Sequence, residues 1–318
     1  MQEQVTKAQA QDVSANVLVP LSADLTALSQ KASVMHYPSD SVVLLKFVEK
    51  DQASLVSLVK AQSQEMQALE GDGQLITKQY GSDAVAIQKV FNPSVQQARN
   101  DKTIGTFLKI APLSQPYSSL EHYSTLLAST DPTRAGLGAA GVKLYSSKIH
   151  DIVYGGMPSK TIIVSIAAQQ LWAYENGKEV MTTLVTTGRP QLPTDIGPMK
   201  VILKSSPWVM HSPWGPGSPW WYPDTMVRKV LWFTASGEGL HDARWQPDST
   251  YGPGSENVSY LASHGCIHLP GKTVDFLYDW APVGTPVIVY PGDGTPADSQ
   301  ISRDTIDNPS QVASLKGA

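Results

Sequence analysis

Asn176-Gly177 falls between two runs rich in β-branched and aromatic residues, 170–174 and 179–185. Asn-Gly accepts two successive left-handed residues, which a two-residue primed turn demands, so the flanking runs are expected to pair as an antiparallel hairpin. A β-branched run at 161–166 precedes them, and further strand-like runs follow at 199–203, 229–234 and 285–290. Turn-rich segments separate these runs, among them Thr187-Gly188-Arg189-Pro190 and the 193–198 stretch. Short strands with frequent turns predict a mostly β domain, a sandwich or barrel, over 159–290. One helix interrupts it: Pro270-Gly271 starts a segment with Val274, Leu277, Tyr278 and Ala281 on one side, which Pro282-Val283-Gly284 ends.

The chain before Ser159 has a different character. Leu55, Leu58, Val59, Gln62, Met66 and Leu69 recur at spacings of three and four, which predicts a helix from Asp51 to Leu69 ended by Gly71-Asp72-Gly73. Ser82 or Asp83 can cap a second helix running through Val90, with Pro93 soon after its end. Ser118-Ser119-Leu120-Glu121 resembles a capping box for a third, running to Ala128. Asp131-Pro132 breaks the chain ahead of a glycine- and alanine-rich stretch, 136–141. The whole is expected to be α+β: a polar arm at 1–30, a helical domain at 31–150 of no legible function, the β domain, and a flexible tail at 291–318.

Composition excludes several classes of function. A net charge of −4 and a pI near 6.0, with no basic run, leave no footprint for nucleic acid. No stretch of about 18 apolar residues spans a membrane. Met1-Gln2-Glu3-Gln4 lacks the basic region and apolar run of an export signal, so a signal or anchor is expected only if it has been removed. A single cysteine, Cys266, rules out an internal disulfide and any multi-thiolate zinc site. No cofactor or metal is expected.

That cysteine lies in Ser263-His264-Gly265-Cys266-Ile267-His268. A thiol serves an enzyme as thiolate, so it needs a nearby base, and the base needs an orienting partner. A glycine beside it lets backbone N–H groups approach a reacting carbonyl. His241, His264 and His268 are the candidate bases. The end of a strand can hold His241 rigidly, which gives it a slight preference on geometry and leaves the other two open. Trp208, Trp214, Trp220 and Trp221 lie among prolines and glycines, where indoles either wall a binding site or fill the loop's own small core.

From about Ser159 to Tyr290 the chain resembles the catalytic domain of the L,D-transpeptidases (YkuD type). The opening hairpin carries the resemblance, as do Thr187-Gly188 with Pro190, Pro193-Thr194 and Gly197. So does a histidine followed, after a spacer, by Ser263-His264-Gly265-Cys266, then a helix and a closing strand. The resemblance implies Cys266 as nucleophile, His241 as base, and the backbone carbonyl of Asp242 as its orienter. It also implies an oxyanion hole from N–H groups around Gly265 and Cys266, with Ser263 and His264 shaping the site. His268, Trp220, Trp221 and Trp232 are expected to contact substrate. The implied reaction is acyl transfer on peptidoglycan tetrapeptide stems in the cell envelope, outside the cytoplasm. D-Ala would be released and a 3→3 cross-link formed; carbapenems would inhibit, and glycan strands are further candidate partners.

The sequence departs from the family pattern in two places. His268 stands where the family usually has Arg or Asn, and a histidine is shorter than Arg and titrates near neutrality. The spacer from His241 to Ser263 is long, which predicts an enlarged loop at the mouth of the site, facing a wall built from the tryptophan-rich stretch. Two other readings stay open: an L,D-carboxypeptidase or other cysteine amidase acting on wall peptides, and a non-catalytic wall-binding protein.

Overall fold

The computed structural model describes residues 38–295. The polar arm at 1–30 and the tail from 296 onward lie outside them. The described chain is helical up to Gly155 and sheet-rich from Lys160, a mixed α+β architecture. It forms two compact units, the first reaching Val95 and resuming over Ser114–Ser147, the second made of Gln96–Leu113 and everything from Lys148.

Four helices precede the strands: α1 (Pro38–Gln79), α2 (Ala84–Phe107), α3 (Ser114–Leu127) and α4 (Pro132–Gly155). Asp83 caps α2, its Oδ1 accepting the N–H groups of Val85 at 2.9 Å and Ala86 at 3.2 Å. Pro93 lies inside α2 instead of beyond its end. A proline removes one backbone donor and usually kinks or breaks a helix, yet here the α2 ladder resumes after it. The third helix begins at Ser114, four residues before the expected capping box. Asp131-Pro132 opens α4 instead of a loop: Asp131 Oδ1 accepts Arg134 N–H at 2.9 Å and Pro132 takes the first helical position.

The glycine-rich stretch is therefore helical, and its lack of side chains is used for packing. A Cβ on Gly138 would fall 2.1 Å from the Leu127 nitrogen, and one on Gly141 would fall 2.0 Å from the Tyr123 ring. Helices α3 and α4 approach this closely because both positions are bare. Among the described residues no helix is long and apolar enough to cross a membrane.

In the second unit, β1 (Lys160–Ser165), β2 (Gln170–Glu175) and β3 (Lys178–Leu184) form an antiparallel meander. Asn176 and Gly177 have φ of 51° and 75°, the left-handed pair that the turn requires. β4 (Gly197–Lys200) and β11 (Pro286–Tyr290) complete a five-stranded sheet in the order β3-β2-β1-β11-β4, with β11 parallel to β1. A second sheet has the order β10-β9-β8-β5, from β5 (Leu203–Ser205), β8 (Val230–Trp232), β9 (Gly239–Asp242) and β10 (Ile267–Leu269). β6 (Trp208–Met210) pairs with β7 (Thr225–Val227) as a separate ribbon.

Ile162, Val164 and Val287 of the first sheet share one core with Leu231, Leu240 and Ile267 of the second. Helix α5 (Gly271–Trp280) adds Val274 and Leu277 to it. Removing this apolar surface from water is what holds two short-stranded sheets face to face. The sandwich expectation holds; the barrel alternative does not, because both sheets are open.

Candidate active site

The main chain fixes the cysteine stretch before any side chain acts. β10 lies parallel to β9 with His268 opposite His241, so the two histidines occupy matching register positions. On its other side the stretch is clamped by residues 186–189. His268 N–H donates to Thr186 O at 2.8 Å and Thr186 N–H returns the bond at 3.2 Å. Ser263 N–H donates to Thr187 O at 3.2 Å, and Arg189 N–H to Ser263 O at 3.1 Å. Thr194 ties the turn-rich loop to the same turn, donating to Gly265 O at 2.7 Å and accepting Gly188 N–H at 2.8 Å. Gly265 has φ of +123°, and a Cβ there would meet Glu238 Oε1 at 2.5 Å. The left-handed φ favours glycine directly before Cys266, and a side chain there would also displace the Glu238 carboxylate.

His241 donates from Nδ1 to the backbone oxygen of Asp242 at 3.0 Å, which leaves Nε2 as the unprotonated acceptor. Burial pushes its pKa down, so the imidazole is neutral. Cys266 keeps some exposure, but the surrounding protein pushes its thiol up to about 12, burial outweighing a hydrogen bond from the Gly239 backbone, and the Glu238 charge adds to the rise. The thiol and this imidazole therefore both rest uncharged.

His268 donates from Nδ1 to Leu261 O at 3.0 Å, and its ring lies 4.9 Å from that of His241 in an edge-to-face arrangement. Burial and the neighbouring His241 hold it well below the usual histidine range, so it too is neutral. His264 lies against Trp214 and Tyr222, and burial together with Arg189 lowers it to about 4. Burial also lifts Tyr222 to about 12, with the charge of a Cys266 thiolate as a further cause.

The carboxylate of Asp242 points into the fold. It accepts the N–H groups of Arg228 at 2.8 Å and Lys229 at 3.2 Å and meets the Arg228 and Arg244 guanidinium groups, with 1% of the side chain exposed. Only its backbone oxygen reaches the histidine. Gly265 N–H donates to Ser263 Oγ at 3.1 Å, and Ser263 Oγ in turn donates to Cys266 O. The Gly265 donor expected for an oxyanion is thus already engaged within the turn.

A cavity of about 600 Å³ opens over these groups, with Ser263, His264, Cys266, His241 and His268 all on its wall. Trp221 lines it and is 43% exposed. Trp220 does not; it lies beneath the Arg189 guanidinium, 5.6 Å from ring to charge. Trp232 is a correction. It is 2% exposed, with Nε1 donating to Ser205 Oγ and its ring packed on Trp208. The ring lies in a small apolar cluster with Val227 and Val230, against which Trp208 and Met210 of β6 pack, on the face of β8 opposite Leu231.

The long spacer after His241 supplies Trp245, Ser259, Tyr260 and Ala262 to the cavity, and the tryptophan-rich segment supplies Pro219 and Tyr222. Trp245, Tyr260 and Arg189 went unread in the sequence. The first two sit in loops without periodicity, and the signal for Arg189 was its place in the turn closing the third strand.

Residues 159–289 match the family model of the L,D-transpeptidase catalytic domain, YkuD. L,D-transpeptidase 1 of Mycobacterium tuberculosis is 30% identical over 132 residues, covering 40% of this chain and 49% of that protein. The chain thus spans about half the length of the curated relatives it matches. Among solved structures, the catalytic domain of the Enterococcus faecium L,D-transpeptidase is 29% identical over 43% of this chain and 100% of that one, with a TM-score of 0.37. An L,D-transpeptidase solved in complex with imipenem is 26% identical over 42% of this chain and 59% of that one, with a TM-score of 0.36. Residues 159–289 are thus similar to the L,D-transpeptidase catalytic domain, over a span that contains His241, the Ser263–Cys266 turn and the helix that follows.

Proposed function

We propose that this protein is a cysteine acyltransferase that cross-links peptidoglycan stem peptides in the cell envelope, outside the cytoplasm. One observation carries the reading: within the family span, a neutral His241 with Nδ1 committed to a carbonyl shares a cavity wall with the chain's single cysteine. In this reading the Cys266 sulfur attacks the carbonyl before the terminal D-Ala of a tetrapeptide stem as His241 Nε2 takes the thiol proton. The proton passes to the departing D-Ala amine, leaving a thioester on Cys266. An amine of a second stem then attacks the thioester, His241 removes the amine's proton and the sulfur is released, which gives the 3→3 bond. Ser263 holds the turn, and His264, His268 and Trp221 face the substrate.

Incubation with tetrapeptide stems, read by mass spectrometry, tests this. The expected result is a dimer with one D-Ala lost per cross-link, and a carbapenem adduct on Cys266. Loss of D-Ala without dimer would make water the acceptor and the protein a carboxypeptidase. An unmodified intact mass after long exposure to a carbapenem, with the thiol shown to be free, would overturn the acyl-enzyme reading.

A further inference from the structure

Arg189 is the one residue on the described cavity wall that carries a permanent charge; no carboxylate lines it. Its guanidinium is held on three sides. Nε donates to Ser263 O at 3.1 Å, and Nη2 donates to Ala262 O at 2.8 Å and Ser259 O at 3.2 Å. The Trp220 ring backs it at 5.6 Å. Those bonds use three of its five N–H groups, and among the described residues the two on Nη1 meet no protein acceptor.

No carboxylate pairs with it among the described ion pairs, although burial is enough to lower its pKa. A cation that is partly desolvated, fixed by carbonyls and stacked on an indole, yet left without a counter-ion, is a preformed anion site. Its carbonyl anchors include Ser263 of the cysteine turn, and Arg189 lines the same cavity as Cys266, His264 and His268, so an anion bound there occupies the cavity onto which the sulfur opens.

We infer that Arg189 is the anion anchor of this cavity and binds a carboxylate of the peptide substrate through Nη1. The inference rests on the acyl-transfer reading above and narrows it: the preferred donor carries a carboxylate next to the bond that breaks. Two carboxylates fit that description, the terminal one on the leaving residue and a side-chain one on the residue that becomes the acyl group. An anchored terminal carboxylate would also explain why a single residue leaves.

The experiment measures the rate of Cys266 thioester formation in the unaltered protein with four stem peptides. These carry the C-terminal carboxylate free or as amide, each with the acyl-side carboxylate free or amidated. A carbapenem and its carboxyl ester form a fifth and a sixth arm. Loss of a charge-assisted hydrogen bond is expected to slow the neutral partner at least about tenfold, and whichever amide is slow identifies the carboxylate held. Arg189→Met should erase the difference between acid and amide, whereas Arg189→Lys should keep part of it. Alkylation of Cys266 by the uncharged reagent iodoacetamide reports whether the variant's site is intact.

Equal rates for every acid and its amide in the unaltered protein would overturn the anchor and leave the acyl-transfer reading standing. No acylation by any of the six would overturn both.

Discussion

The two oxygen functions of Asp242 can be separated by experiment. Its backbone oxygen orients His241, while its carboxylate holds the chain entering β8. Asp242→Ala removes the acceptor for two part-buried N–H groups, Arg228 and Lys229, and for the Arg228 and Arg244 guanidinium groups. At about 1.5 kcal/mol per bond, the lower end for a charged acceptor, the two N–H groups account for about 3 kcal/mol. The ion pairs add little: Arg228 is 37% exposed and keeps Asp275, and Arg244 is 65% exposed. A loss of about 3 kcal/mol, divided by a urea slope of about 2–3 kcal/mol/M, moves the unfolding midpoint down by about 1 M. Asp242→Asn keeps an acceptor oxygen and should lose about half as much.

The backbone oxygen survives both changes, so the carbapenem acylation rate per folded molecule should stay within about threefold. Urea titration followed by intrinsic fluorescence gives the first quantity, and stopped-flow acylation normalised to titrated thiol gives the second. A folded Asp242→Asn protein that acylates a hundredfold more slowly would place the carboxylate in the reaction path and refute the separation. An unchanged urea midpoint in Asp242→Ala would refute the ledger.

Four further outcomes follow from the geometry. His241 is held below its ordinary value by burial, so the acid limb of acylation should lie below pH 6.5, and with the thiol near 12 there should be no rise between pH 7 and 9; stopped-flow rates across pH 4–10 check both limbs. His241 and His268 are neutral when folded and gain protons when unfolded, so the unfolded chain binds more protons below about pH 6.5 and stability should fall as pH drops through that window, measured as the urea midpoint against pH. Thr194→Val leaves Gly188 N–H and Gly265 O without their bonds, which should cost about 2–4 kcal/mol and loosen the turn before Cys266, read as a lower melting temperature and slower acylation. Gly138→Ala forces a Cβ against the Leu127 backbone and should destabilise the helical unit by about 1–3 kcal/mol, measured by thermal melting.

What could be read without coordinates was whatever local chemistry determines. Asn176-Gly177 demands its turn, the Val274–Leu277 spacing demands a buried helix face, and the residues around Cys266 come together on one cavity wall. What could not be read depends on the partner across space. Trp232 looks like Trp221 in the sequence, yet one is interior because Trp208 and Met210 of β6 pack over it and the other faces the cavity. Gly138 and Gly141 resemble a loop until a neighbouring helix is there to touch them. Arg189 carried no motif of its own, since its meaning comes from carbonyls some seventy residues later.

The clamp that residues 186–189 place on the cysteine strand joins four main-chain hydrogen bonds to the guanidinium bonds of Arg189. Where a residue of that strand points away from the core, its side chain can change without loss of these main-chain bonds. His268 occupies such a position: its peptide group is fixed between Thr186 and β9, while its imidazole faces the cavity. A designer seeking to reshape the cavity while keeping these main-chain bonds would begin at this residue.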